Sequence, residues 1–126
     1  LINEGFWVEA IGRKDTGIHV SKHLRYTSLD LTDELSVQQF FKTSIEQHTS
    51  IKSAALLAGG FAMGSLESTA YSDLEKQLNI NFKTVYTLIR PLYQHMKEQG
   101  GGNIIVIAAK AAQHLEQGQG VLAYTL

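Results

Sequence analysis

Short apolar runs alternate along this chain with segments in which apolar residues recur at helical spacing. The first run extends from Phe6 to Ile11 and closes at Gly12, and the second extends from Leu24 to Leu29 and ends at Asp30. Short apolar runs bounded by glycine or polar residues are typical of β-strands. The pattern therefore predicts two strands before the first helix.

The first helix is predicted to follow Asp30. Thr32 precedes two acidic residues, and apolar side chains then recur at intervals of three to four residues. Threonine is a common N-cap, and acids in the first turn interact favourably with the helix dipole. The spacing predicts a helix with one buried face, formed by Val37, Phe40, Phe41 and Ile45.

Two further strands are predicted in the second half of the chain. Small and apolar residues run from Ser53 to Ala58 and end in Gly59 and Gly60, and a similar run extends from Asn103 to Ala109. Because the run from Ser53 is apolar on both faces, it is expected to be a central strand of a parallel sheet, covered on both sides.

A long helix is predicted between these two strands, after a loop from Phe61 to Thr69. Its apolar stripe should be kinked or divided at Pro91, which removes a hydrogen bond from the helix interior. The predicted stripe comprises Leu78, Phe82, Val85, Ile89, Leu92 and Met96. The order strand, strand, helix, strand, helix, strand predicts a single α/β domain whose parallel sheet is covered by helices.

The composition narrows the class of partner. With 11 basic and 12 acidic residues the net charge is −1, which argues against nucleic acid or an anionic membrane as the main partner. The chain has no cysteine, and no apolar run reaches the length that spans a membrane. We therefore expect a cytoplasmic protein that binds a small molecule.

Candidate chemistry follows the strands, because ligands of open parallel sheets bind beyond the carboxyl ends of the strands. Arg13 and Lys14 would hold a phosphate there, or else form a solvated basic pair. Gly59 and Gly60 would let a ligand approach the backbone, or else form an ordinary turn. Asp30 would accept a hydrogen bond from an adenine amino group, or else simply end its strand.

Two other kinds of site are not predicted. His19 and His23 lie four residues apart, but no helix is expected there and no carboxylate completes a metal-ligand pattern. No serine is flanked by glycines in the way that a hydrolase nucleophile requires. The sequence therefore predicts neither a metal centre nor a hydrolase triad.

Taken in order, these motifs resemble those of the short-chain dehydrogenase/reductase family over essentially the whole chain. Arg13 after Gly12 resembles the pattern of NADP-preferring members, and Asp30 with Leu31 resembles the pair that contacts adenine. The run from Leu56 to Gly59 stands in place of the Asn-Asn-Ala-Gly motif and matches its Ala-Gly half.

The second half of the chain continues the resemblance. Asn81 stands in place of the active-site asparagine, and Tyr124 resembles the first residue of the Tyr-x-x-x-Lys motif. The resemblance implies a Rossmann-type, doubly wound parallel sheet and NADP(H) as cofactor, favoured over NAD(H). It implies Tyr124 and Asn81 as catalytic residues, and as cofactor-binding residues Arg13, Asp30, Leu31, Ala58, Gly59 and Gly60.

Three departures from the family pattern affect the interpretation. Ala109 stands where the family has a catalytic serine, the lysine of the tyrosine motif would lie beyond Leu126, and the first strand would precede Leu1. We therefore expect residues 1–126 to be a partial NAD(P)-binding Rossmann domain, truncated at both ends and inactive alone. The runs Ala58-Gly59-Gly60-Phe61 and Ala109-Lys110-Ala111-Ala112 resemble the dihydropteridine reductase branch, which also lacks the serine.

Three functional hypotheses follow. The first is an oxidoreductase that transfers hydride from NADPH to a small carbonyl or imine-like group, with Tyr124 as the acid. The second is a non-catalytic dinucleotide-binding sensor or scaffold, and the third is a structural remnant without a ligand. Family analogy adds the expectation of a homo-oligomer.

Overall fold

The computed structural model describes residues 2–14, 20–47 (without the side chain of residue 46), 50–110, 113 and 120–125. The predicted order of strands and helices is confirmed in these residues. The elements are a short 3-10 helix Ile2–Glu4, β1 Val8–Gly12, β2 Leu24–Ser28, α1 Glu34–Gln47, β3 Ser53–Leu56, α2 Tyr71–Gln77, a π-helical segment Leu78–Lys83, α3 Thr84–Glu98, β4 Asn103–Val106 and α4 Leu122–Thr125.

The strands form two parallel pairs. β1 pairs with β2 from Val8 opposite Leu24 onward, and β3 pairs with β4 from Ser53 opposite Asn103 onward. The two pairs are separate two-stranded sheets in the described part of the chain. Parallel pairing, with helices between β3 and β4, confirms the α/β class, since parallel neighbours require a crossover.

One hydrophobic core joins the two sheets. Ile11 and Leu29 reach it from the first pair, and Ala54 and Ile104 reach it from the second. The buried members of this core are Leu31, Val37, Phe41, Leu56, Leu88, Leu92 and Met96. The helices α1 and α3 therefore connect, through their side chains, strands that no described backbone ladder connects.

The expectation of two buried faces for the strand from Ser53 is wrong for the described residues. One face of β3 and β4 packs on the core, while the other face, continued by Leu57 and Ile107 just after the strands, is exposed. Leu57 is 70%, Ile105 54% and Ile107 64% exposed. We call Ala55, Leu57, Ile105 and Ile107 the exposed sheet face. Both strands also end earlier than predicted, at Leu56 and Val106.

The predicted stripe of the long helix is wrong at its first two positions. Leu78 and Phe82 are 55% and 64% exposed, whereas Leu88 and Leu92 are buried. The reason is the π-helical segment, in which the backbone N–H of Thr84 bonds to a carbonyl five residues back instead of four. The wider turn shifts the earlier residues off the buried face of α3.

Two local predictions concern α3 and α1. Pro91 lies inside α3, which continues through it, so the helix is not divided there, and a kink at Pro91 stays a prediction. The N-cap of α1 is Asp33 and not Thr32, since Asp33 Oδ1 accepts hydrogen bonds from the backbone N–H of Leu35 at 3.1 Å and of Ser36 at 3.4 Å. The hydroxyl of Thr32 instead donates a hydrogen bond to the carboxylate of Asp30.

Candidate functional site

The turn after β1 presents two cations whose backbone is fixed from the neighbouring strand. The phenol of Tyr26 donates a hydrogen bond to the carbonyl of Lys14, and the hydroxyl of Ser28 donates to the carbonyl of Arg13 at 3.2 Å. Gly12 leaves room for this arrangement, because a Cβ there would lie 2.9 Å from the Tyr26 oxygen. The Arg13 and Lys14 residues themselves are exposed.

The carboxylate of Asp30 lies at the end of β2, on the same edge of this sheet. Its Oδ1 atom accepts hydrogen bonds from the backbone N–H of Thr32 at 2.9 Å and from the Thr32 hydroxyl at 2.7 Å. These two hydrogen bonds, with a smaller contribution from the charge of Arg13, lower the pKa of Asp30. Asp30 is therefore an ionised acceptor close to a cation.

Leu31 serves the core rather than the surface of the site. Its side chain is 6% exposed and its carbonyl accepts a hydrogen bond from the hydroxyl of Thr87 at 2.7 Å. A ligand contact at this position would therefore have to come from the backbone. The same hydrogen bond ties the end of β2 to α3.

The turn after β3, formed by Ala58, Gly59 and Gly60, is held by one side chain. Asn81 Oδ1 accepts the backbone N–H of Gly60 at 2.7 Å, and Asn81 Nδ2 donates to the Gly60 carbonyl at 3.0 Å. Nδ2 also donates to Gln77 Oε1 at 2.9 Å, which fixes the orientation of the amide. We call residues 58–60 the glycine turn.

Both glycines of this turn have close neighbours on the side where a Cβ would lie. A Cβ on Gly59 would lie 2.9 Å from Asn81 Oδ1, and a Cβ on Gly60 would lie 2.9 Å from Ile80 Cδ1. Alanine at Gly59 would displace the Asn81 amide, whereas alanine at Gly60 would require the end of the Ile80 side chain to move. The backbone of the glycine turn is therefore packed closely against the π-helical segment.

Tyr124 lies in the short helix α4, which is attached to the loop after the glycine turn. The backbone N–H of Gly64 donates to the Gly120 carbonyl at 2.7 Å, and that of Leu122 donates to the Gly64 carbonyl at 3.0 Å. The ring of Phe61 meets the ring of Tyr124 edge to face, with centroids 4.9 Å apart. Phe61 was not predicted as a site residue; in the sequence it appears only as the last residue of the run Ala58-Gly59-Gly60-Phe61.

The end of β4 carries the substituted serine position. Ala109 is half-buried and Lys110 is exposed, while Ala111, Ala112 and His19 fall outside the described residues.

Within the described ranges, no group of three or more His, Asp or Glu side chains is placed to hold a metal ion. Nor is any helix in those ranges long and apolar enough to cross a membrane.

These placements fall into two groups. Arg13 and Asp30 lie together beyond the first strand pair, and Asn81, the glycine turn and Tyr124 lie together beyond β3. The first group offers a cation and an ionised acceptor, and the second offers a closely packed backbone turn and a phenol.

Residues 2–125 match the model of the short chain dehydrogenase family. The chain belongs to the short-chain dehydrogenase family. An uncharacterised oxidoreductase of Schizosaccharomyces pombe is 30% identical over 114 residues, which are 88% of this chain and 39% of that protein. Membership confirms the resemblance to this family and the Rossmann-type fold. The resemblance to the dihydropteridine reductase branch and the role of each site residue stay predictions.

Solved structures of the family have the same fold. A short-chain dehydrogenase of Streptomyces avermitilis superposes with a TM-score of 0.87 at 21% identity, over 98% of this chain and 47% of that one. ElxO with NADP bound superposes with a TM-score of 0.76 at 22% identity, over 82% of this chain and 42% of that one. The chain thus spans less than half the length of each of these relatives.

Proposed function

We propose that the protein containing this chain is an NADP(H)-dependent oxidoreductase that reduces a small carbonyl or imine-like group. In this proposal residues 1–126 form part of its dinucleotide-binding domain. The observation that carries it is a chain of contacts. Asn81 is hydrogen-bonded to Gly60 in the glycine turn, and Phe61, the next residue, contacts the ring of Tyr124. Family membership supports the reaction class.

The residues at the strand ends fit a phosphorylated dinucleotide. Arg13 would pair with the 2′-phosphate, which an arginine at this position of the fold accommodates. Asp30, which hydrogen bonds keep ionised, would accept from the adenine amino group, and Leu31 would contribute its backbone. The glycine turn would meet the dinucleotide with its backbone, since the space where Cβ atoms would lie is filled by Asn81 and Ile80.

The chemistry divides between the cofactor and the chain. Bound NADPH would supply hydride to the carbon of the C=O or C=N group. The phenol of Tyr124 would donate a proton to the oxygen or nitrogen, so that one C–H and one O–H or N–H bond form. Asn81 would keep the turn in place. A phenol with an ordinary pKa of about 10 needs a nearby cation to work at neutral pH, and family analogy implies a lysine in that role.

Ala109 bears on the substrate class. Without a hydroxyl at this position the carbonyl loses one hydrogen-bond donor, so substrates that need little polarisation are favoured. A quinonoid dihydropterin is such a substrate, and the likeness of Ala58-Gly59-Gly60-Phe61 to the dihydropteridine reductase branch supports testing it. We propose it as the first substrate to assay beside simple carbonyls.

The acid role is tested by Tyr124→Phe in the natural full-length protein. Loss of a general acid should lower turnover by about 10²- to 10⁴-fold, while NADPH binding, followed by fluorescence titration, should be retained. Tyr93→Phe is the matched control, since Tyr93 is 62% exposed on α3 and outside the site. Full activity of Tyr124→Phe would remove the acid role.

The cofactor preference is tested by Arg13→Ser. Removing the cation should weaken binding of NADPH, which carries the 2′-phosphate, and leave binding of NADH nearly unchanged. Titration of the two cofactors against wild type and variant measures this difference. An equal loss for both would show that Arg13 does not read the phosphate.

A non-catalytic role is the second candidate function. Leu56 and Leu57 replace the asparagines of the family motif, and Ala109 replaces the serine. A sensor or scaffold would bind NADPH without turning over any substrate in the panel. Family analogy further suggests a homo-oligomer, which sedimentation of the full-length protein tests.

A further inference from the structure

Phe61 is an apolar residue whose position the core does not explain. The residue is 62% exposed, yet its ring meets the Tyr124 ring at 4.9 Å with an interplanar angle of 71°. Edge-to-face contact of this kind is attractive because the positive edge of one ring meets the negative face of the other.

The segment that carries Phe61 is fixed on both sides. Asn81 holds both backbone polar groups of Gly60, and Gly64 exchanges backbone hydrogen bonds with Gly120 and Leu122. The Phe61 ring thus projects from a segment, residues 60–64, that is anchored to the π-helical segment at one end and to α4 at the other.

The helix α4 needs such an anchor. It has four residues, Leu122–Thr125, and a helix of one turn has too few internal hydrogen bonds to hold its own position. The Tyr124 phenol is therefore placed by what α4 touches. Those contacts are the packing of α4 against α2, in which Ala123 is buried, the backbone bridge at Gly64 and the Phe61 ring. Among them, the Phe61 ring contacts the Tyr124 side chain itself.

We propose that Phe61 is the positioning residue for Tyr124, and that its ring holds the phenol in the orientation from which it donates a proton. This rests on the proposed function, in which Tyr124 is the acid. An acid must lie within hydrogen-bond reach of the atom that it protonates. The requirement is sharper here because Ala109 supplies no hydroxyl to orient the substrate.

The kinetic test compares three substitutions at Phe61 in the full-length protein. Phe61→Ala should lower kcat by about ten- to a hundredfold, as misplacement of a reacting group does, while NADPH affinity stays within about twofold of wild type. Phe61→Trp keeps an aromatic ring and should restore most of the rate. Phe61→Leu keeps apolar volume without a ring and should not.

The matched control is Phe82→Ala. Phe82 is 64% exposed and stacks on Tyr86 at 5.9 Å, so it is an equally exposed phenylalanine with one tyrosine neighbour outside the site. Its removal should leave kcat unchanged. Wild-type kcat in Phe61→Ala, equal rates in Phe61→Leu and Phe61→Trp, or a parallel loss of NADPH affinity would each overturn the positioning role.

A spectroscopic readout separates this proposal from the proposed function. The chain has five tyrosines, so 3-fluorotyrosine labelling gives five 19F signals from it, and Tyr124→Phe identifies that of Tyr124. Phe61→Leu should shift or broaden this signal, because the ring that shields and orients the phenol is gone. An unmoved Tyr124 signal overturns the proposal, whereas absence of turnover in wild type overturns only the enzymatic function.

Discussion

At the scale of single residues, hydrogen bonds from a neighbouring residue determine how readily the Asp30 carboxyl, just after β2, loses its proton. The backbone and hydroxyl of Thr32 contribute more to lowering the pKa of Asp30 than the charge of Arg13 does. This order is expected for an exposed pair, since water and salt screen the attraction between charges. Thr32 was predicted as a helix cap, and it acts instead on the carboxylate two residues before it.

Thr32→Val should raise the pKa of Asp30, because it removes the hydroxyl donor at 2.7 Å and leaves the backbone donor in place. The folded pKa of Asp30 lies below its unfolded value, so its stabilising contribution is present above about pH 4 and is lost as pH falls through the folded pKa. The stability difference between wild type and variant should therefore shrink on acidification.

Carbon-detected NMR titration of the Asp30 carboxyl, together with urea unfolding at neutral and acidic pH, measures both effects. Thr43→Val is the control, since the Thr43 hydroxyl donates only to the carbonyl of Gln39 within α1. An Asp30 titration curve that is the same in wild type and variant would contradict the assignment.

At the scale of elements, the order of strands and helices could be predicted because the spacing at which apolar residues recur along the chain differs between strands and helices. The π-helical segment could not be predicted, because a single wider turn is too short to set up a recognisable spacing of apolar residues. Leu78 and Phe82 were therefore placed on the wrong face. Asn81 was placed at the site by the family motif, whereas nothing in the sequence pairs Phe61 with Tyr124.

Asn81→Ala should lower the free energy of unfolding by about 1–3 kcal/mol, the usual cost of leaving partly buried polar groups without partners. The groups affected are the N–H and carbonyl of Gly60 and the Gln77 side chain. Asn79→Ala is the matched control, because Asn79 is exposed on the same segment. Its effect should stay within about 0.5 kcal/mol.

Urea unfolding compares the two asparagine variants, and hydrogen exchange adds a local measurement. The Gly60 amide should exchange faster in Asn81→Ala, because its acceptor at 2.7 Å is removed. Equal stability of the two variants would mean that the Asn81 hydrogen bonds do not hold the glycine turn.

At the scale of the whole molecule, the two strand pairs depend on side-chain packing rather than on one continuous sheet. Leu31 lies just after β2 of the first pair, and Leu56 is the last residue of β3 in the second pair. Both are buried with Leu88 in the same core. The sequence predicted a strand covered on both sides, and the described residues cover one side. β3 and β4 therefore carry more apolar side chains than the described core buries.

The chain of 126 residues, expressed alone, should show this asymmetry in two adjacent substitutions on β4. Ile104 packs against the core, whereas Ile105 is 54% exposed on the exposed sheet face. Both changes to Thr keep a β-branched side chain suited to a strand. Ile104→Thr should cost more than about 1 kcal/mol of unfolding free energy, since it places a hydroxyl against the core where an ethyl group packed.

Ile105→Thr should instead change stability by less than about 0.5 kcal/mol, as exposed substitutions do. It should also reduce binding of the dye ANS, which reports exposed apolar surface. Urea unfolding and dye fluorescence of the two variants measure these effects. If Ile105→Thr costs as much as Ile104→Thr, both faces of the strand are buried, and the prediction from the uninterrupted apolar run holds for the protein in solution.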